Sequence, residues 1–147
     1  MRGYQLIENT FDWDVTSPEL FFVGNLCYDI RQAKAWIARR KRLRVYALDP
    51  EDYEQTLLGY CPSYQVEVNW TAIRRSTRID LALPLIGAYH PDFGRMVIDG
   101  HHRLGRALLE GRSFLPIVFL TQAQSKRVYQ PTSRLHWKII KKEPSAE

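Results

Sequence analysis

The chain has 147 residues, 45% of them hydrophobic and 25% charged, and carries a net charge of +5 at neutral pH. That length and balance fit one soluble globular domain, and exclude a charge-rich disordered chain or a small scaffold held by disulfides or metal. The two cysteines, Cys27 and Cys61, stand in no CxxC spacing, so reduced thiols are expected, and the apolar run ending at Tyr89 is too short and too broken by Pro84 to span a membrane.

Residues 1–20 place Tyr4, Leu6, Ile7, Phe11 and Trp13 among polar residues, a pattern for a strand or an irregular wrap over the core. Glu8, Asp12 and Asp14 arrive too early for a secretory leader, so a cytoplasmic location with no membrane partner is expected. Thr16-Ser17-Pro18-Glu19 reads as a helix start, whereas Leu20–Val23 reads equally as a strand. From Ile30 to Leu43 the pattern is helical, with Ala33, Trp36 and Ile37 on one face; Trp36 is assigned to the core rather than to a ligand stack. Arg44–Leu48 is a predicted strand closed by Asp49-Pro50, and Glu51–Leu58 a short helix stopped at Gly59.

Tyr64, Val66, Val68 and Trp70 alternate with polar residues, which predicts a half-buried strand. A helical turn over Thr71–Arg75 and a polar, basic stretch through Arg78 follow, a loop setting that often carries site residues. Leu83–Tyr89 is the next predicted strand, and His90–Gly94 a hairpin loop.

The organising stretch runs from Met96 to Thr121 and reads as strand, tight turn, helix, strand. Met96–Ile98 is a short buried strand ended by Asp99-Gly100. The helix begins at about His101, directs Leu104, Ala107 and Leu108 to one side, and stops at Gly111. Leu115–Leu120 forms the second strand, with Pro116 placing it at a sheet edge or marking its first residues. Thr121 and Gln124 make a capping box for a helix over Gln122–Tyr129, which Pro131 ends. Leu135, Trp137, Ile139 and Ile140 suit a last strand or docked arm, and residues 141–147 a disordered tail.

A strand that passes through glycine into a helix gathers unpaired backbone N–H groups and the positive end of the helix dipole at one point, which suits an anion. Arg103, in the first turn, adds a guanidinium fork matched to phosphate. Asp99 has three roles open to it: a general base, a ligand for a divalent ion beside a phosphate, or the cap of the helix. His101 and His102 project roughly 100° apart on a helix, which disfavours a shared zinc ion, so no resident metal cluster is expected. No GxxxxGK[ST] loop occurs. Basic residues cluster at Arg39, Arg40, Lys41, Arg42 and Arg44 and again at Arg74, Arg75 and Arg78, either as solvated surface or as a nucleic-acid footprint.

The run Asp99-Gly100-His101-His102-Arg103, followed by a helix ending in glycine and then a strand, resembles the ParB/sulfiredoxin superfamily, most clearly over residues 66–121. The resemblance implies an α+β fold, a single ParB/sulfiredoxin-like domain over 1–147 with a mixed sheet and flanking helices, and a loop that binds nucleotide phosphates. Sulfiredoxins carry a nucleophilic cysteine where this chain has His101, so their reaction is not expected. Partition proteins, which bind and hydrolyse CTP, carry Gly-Glu-Arg-Arg and a separate DNA-reading domain; this chain is not expected to act as one alone. The Asp-Gly-His-x-Arg form is closer to the free-serine kinases, which use a glutamate toward the serine hydroxyl; Glu19, Glu51 and Glu67 are candidates for it.

The resemblance makes Asp99 and His101 the expected catalytic residues, and Gly100, His101, His102 and Arg103 the nucleotide contacts. Arg75 and Arg78 join them because that segment helps frame the nucleotide pocket in related sequences. ATP, ADP or CTP with Mg2+ is the implied cofactor. Three functions follow as expectations: a magnesium-dependent phosphoryl transferase or nucleotidase, a DNA-associated module of partition-factor or nuclease-like type acting through the basic clusters, or a nucleotide-sensing domain without turnover.

Overall fold

The computed structural model describes residues 3–49, 70–75 and 81–133. Within them the strands are β1 (Gln5–Glu8), β2 (Leu20–Val23), β3 (Leu26–Asp29), β4 (Arg42–Leu48), β5 (Leu85–His90), β6 (Gly94–Asp99), β7 (Leu115–Phe119) and β8 (Tyr129–Pro131). The helices are α1 (Ile30–Ala38), α2 (Trp70–Arg75), α3 (His101–Glu110) and α4 (Gln122–Val128). The fold is α+β: a mixed five-stranded sheet ordered β1-β4-β7-β5-β6 and a three-stranded sheet ordered β2-β3-β8. Among the described residues no helix is long and apolar enough to cross a membrane.

In the larger sheet β5 and β7 run parallel, and the other neighbours are antiparallel. Of the two placements that Pro116 allowed, a sheet edge or the first residues of the strand, the second is found, and β7 itself lies at the centre of the sheet. Pro116 sits opposite Ala47, and pairing with β5 starts only at Ile117, so the missing N–H falls at the beginning of the strand, where no bond to β5 is lost. One face of this sheet packs through Ile86, Ile98 and Val118 against Tyr28, Ile30 and Ile37 from β3 and α1. The other face packs through Leu48, Leu85, Val97 and Ile117 against Leu104 and Ala107 of α3. Trp36 is partly buried against the first of these layers, in the core role assigned to it.

Several element bounds depart from the sequence expectation. Helix α1 ends at Ala38 rather than Leu43, because Leu43 is needed as a fully buried residue of β4 and the chain must turn first. Asn9 holds that turn, its side-chain amide donating to the carbonyls of Ile37 at 2.9 Å and Arg40 at 2.8 Å. The basic cluster therefore lies on a turn and a strand, and Arg40 is half-buried within it. The segment before Leu20 is not a helix start, and Leu20–Val23 is the strand, paired with β3. Trp70 opens α2 rather than closing a strand. The rest of that expected strand, the expected helix over Glu51–Leu58, and the residues from Arg134 onward lie outside the described residues. The capping box of α4 forms, with Thr121 accepting from the Gln124 N–H at 3.0 Å and Gln124 accepting from the Thr121 N–H at 3.1 Å. Pro131 belongs to the short strand β8, which begins directly after the helix ends at Val128.

Candidate functional site

Strand β6 delivers Asp99 to a turn that only glycine makes without strain: Gly100 has φ of +104°, and a side chain there would run into Leu85 and lie 2.7 Å from Nη2 of Arg103. Gly100 is the N-cap of α3 and offers no side-chain cap. Asp99 is thus not the cap that one reading made it. The first helical bond runs from the Leu104 N–H to the Gly100 carbonyl at 3.0 Å, which leaves the amides of His101, His102 and Arg103 without an acceptor inside the helix.

The Asp99 carboxylate instead pairs with Arg103 at 3.3 Å, and both side chains are largely buried, 13% and 15% exposed. Nη2 of Arg103 also donates to the Pro84 carbonyl at 3.3 Å, while its buried Nε has no partner among the described residues. The opposite wall comes from the entry to β2 and from α1. Lys34 Nζ lies 3.2 Å from Glu19 Oε1, and the Glu19 carboxyl, 44% exposed, is close enough to Asp99 for the two to interact. Partial burial pushes the Glu19 carboxyl above its ordinary value and the neighbouring Asp99 adds to the shift, while Lys34 acts the other way. The series Lys34, Glu19, Asp99, Arg103 thus sets two carboxyl groups between two cations.

His101 is 8% exposed, and its ring stacks on Phe21 with centroids 4.9 Å apart and planes 18° from parallel. Burial brings its pKa down to about 4, with His102 and Arg103 acting in the same direction and Asp99 against it. At neutral pH the imidazole is uncharged, and its buried Nε2 has no hydrogen-bond partner among the described residues. These groups line one open cleft of about 810 Å³, with Leu20 and Phe22 at its rim.

Five of the expected residues, Asp99, Gly100, His101, His102 and Arg103, lie together on this cleft. Arg75 does not. Helix α2 packs on α3 through Trp70 and Ile73 at Gly105, more than a turn from the N-terminus, and Arg75 is left exposed and away from the cleft lining. Arg78 lies outside the described residues, as do Glu51 and Glu67. Glu19 is the candidate glutamate that the cleft contains. Lys34 and Phe21 were not foreseen, since each looks like an ordinary residue of its own element. Cys27 is buried, and burial pushes its thiol up to about 11, which makes it a poor nucleophile. Among the described residues no group of three or more His, Cys, Asp or Glu side chains forms a metal cage. No protein-family model, curated protein or solved structure matches the chain.

Proposed function

We propose that the cleft binds a nucleotide through its phosphates and acts as a phosphoryl transferase or nucleotidase. One observation carries the reading: a helix N-terminus, two cations and two carboxyl groups converge on the same cleft. Phosphate oxygens at the His101–Arg103 amides meet aligned N–H donors and the positive end of the α3 dipole. Arg103 has its buried Nε still to donate, and Lys34 neutralises charge from the facing wall. The resemblance of Asp99–Arg103 to the nucleotide loop of the ParB/sulfiredoxin superfamily points the same way.

The donor set fits a magnesium ion. Such an ion takes hard oxygen ligands and commonly needs only one or two carboxylates, with phosphate oxygens and water completing its shell. Asp99 is the residue to hold it, and Mg2+ bound there would offset charge on the terminal phosphate. Glu19, as a carboxylate, then accepts the proton of the attacking water or hydroxyl, its raised pKa making it a stronger base than an unperturbed glutamate. His101 is neutral, so it serves as a hydrogen-bonding group beside the phosphates rather than as a cation.

A thermal-shift series with ATP, ADP, CTP and GTP, each with and without Mg2+, tests this reading, with Arg103→Ala as control. Stabilisation by a nucleotide that vanishes in the variant is the expected result, because a ligand that binds only the folded state raises its stability. Phosphate release or transfer should accompany it. Stabilisation without turnover would leave a nucleotide-sensing domain, and no shift at millimolar nucleotide would overturn the reading.

A further inference from the structure

Helix α3 covers only part of its face of the five-stranded sheet, and the remainder is built from rings and guanidinium groups. Alternation along β4 places Arg42, Arg44 and Tyr46 on the same side as Leu48, which packs under α3. The register of β1 sets Leu6 opposite Arg44 and Glu8 opposite Arg42 on that side. Phe119 follows Ile117 by two residues on β7, and Tyr89 and Arg95 pair across β5 and β6. The result is a series across the sheet: the Tyr4 and Tyr46 rings are 5.6 Å apart, as are those of Tyr46 and Phe119. The Arg95 guanidinium lies 4.8 Å from the Phe119 ring and 5.3 Å from that of Tyr89, and Arg44 lies 5.1 Å from that of Tyr4.

Tyr4 is 49% exposed, and Arg42, Arg44 and Arg95 are exposed, while Tyr46, Phe119 and Tyr89 between them are half-buried. Gly87, opposite Phe119 in the parallel register, has no room for a side chain, since a Cβ there would collide with the Phe119 ring. The glycine thus lets that ring lie across β5 toward Arg95. A groove of about 520 Å³ between Tyr46 and Phe114 opens beside Tyr4, and Phe114 is 62% exposed. Among the described residues no acidic side chain stands in the series from Tyr4 to Arg95, Glu8 lying at its edge opposite Arg42, and none of its members lines the Asp99–Arg103 cleft.

We propose that this face binds single-stranded nucleic acid, with unpaired bases stacked on Tyr4, Tyr46 and Phe119 and on the Arg95 guanidinium plane, and phosphates paired with Arg42 and Arg44. A sheet face of this kind offers π-surfaces to splayed bases, whereas a duplex hides those faces and would meet only the charges. Fluorescence anisotropy of the full chain with a labelled oligothymidylate, and with the same strand annealed to oligoadenylate, tests it. The single strand should bind more tightly than the duplex, and Tyr4→Ala and Arg44→Ala should each weaken it by about tenfold or more. Arg44→Ala should also reduce the slope of log affinity against log salt by about one, and ATP should not compete. Both residues are exposed, and Arg42→Ala repeats the test at a neighbouring position. No binding at low salt, tighter binding of the duplex, affinity unchanged in the variants, or displacement by ATP would overturn the proposal.

Discussion

Glu19, at the entry to β2, and Asp99, at the end of β6, set two carboxyl groups against each other on the cleft. Because partial burial and the neighbouring Asp99 raise the Glu19 pKa, the folded state holds its proton to a higher pH than the unfolded chain, whose ordinary value is 4.5. Stability therefore falls as pH rises through that window. Glu19→Gln never ionises, so its melting temperature should gain on the parent's as pH rises above 4.5. On the proposed function, nucleotide turnover in this variant should drop by about a hundredfold or more. A constant difference in melting temperature across that pH range would show that the Glu19 carboxyl is not raised in the folded state.

His101 has the opposite sign. Its folded pKa of about 4 lies below the ordinary 6.5, so the unfolded chain binds a proton first, and stability is lost as pH falls through that interval. The full effect is about 3 kcal/mol. His101→Gln should flatten the acid limb of the stability profile, and in the parent one imidazole should titrate near 4 by NMR. Titration of the His101 ring near 6.5 would contradict the burial argument.

What was legible in the sequence was local. The apolar run into Asp99-Gly100, the stripe Leu104, Ala107, Leu108 and the capping box at Thr121 each depend on neighbours within a few residues, and each appears as a strand end, a buried helix face or a formed cap. What was not legible depends on distant partners. Helix α1 stops where Asn9 caps it and where Leu43 must enter the core. The smaller sheet has strands of four and three residues, too short to show a period. Glu19 and Lys34 carry no local mark of a site, since Asp99 reaches them only through the fold.

Gly100 and Gly111 bracket α3 with positive φ, yet they should respond differently to alanine. At Gly111, φ is +68° and nothing lies within 4 Å of an added Cβ, so Gly111→Ala should cost about 1 kcal/mol from backbone strain. At Gly100 the same strain adds to a collision with Leu85 and Arg103, and Gly100→Ala should cost about 2–4 kcal/mol. The Gly100 variant should also lose nucleotide stabilisation, whereas the Gly111 variant should retain it. Chemical denaturation of both proteins, with and without nucleotide, measures the contrast; equal costs would mean that Leu85 and Arg103 yield freely to the new methyl group.

Arg40 belongs to the basic cluster by sequence but not by function. Its guanidinium donates to the Phe119 carbonyl at 3.2 Å and to Gln124 Oε1 at 2.9 Å, tying the end of α1 to β7 and to the capping box of α4. Burial lowers its pKa, the mark of a cation held inside the fold rather than offered to a ligand. Arg40→Ala should therefore destabilise the protein by about 1–3 kcal/mol, while Arg44→Ala, at an exposed position, should leave stability within about 0.5 kcal/mol of the parent. Oligonucleotide affinity should divide the other way, falling for Arg44→Ala and unchanged for Arg40→Ala under conditions where both remain folded. Loss of affinity in the Arg40 variant, with its melting temperature intact, would show that the turn after α1 binds phosphate directly and that the Phe119 and Gln124 contacts are incidental.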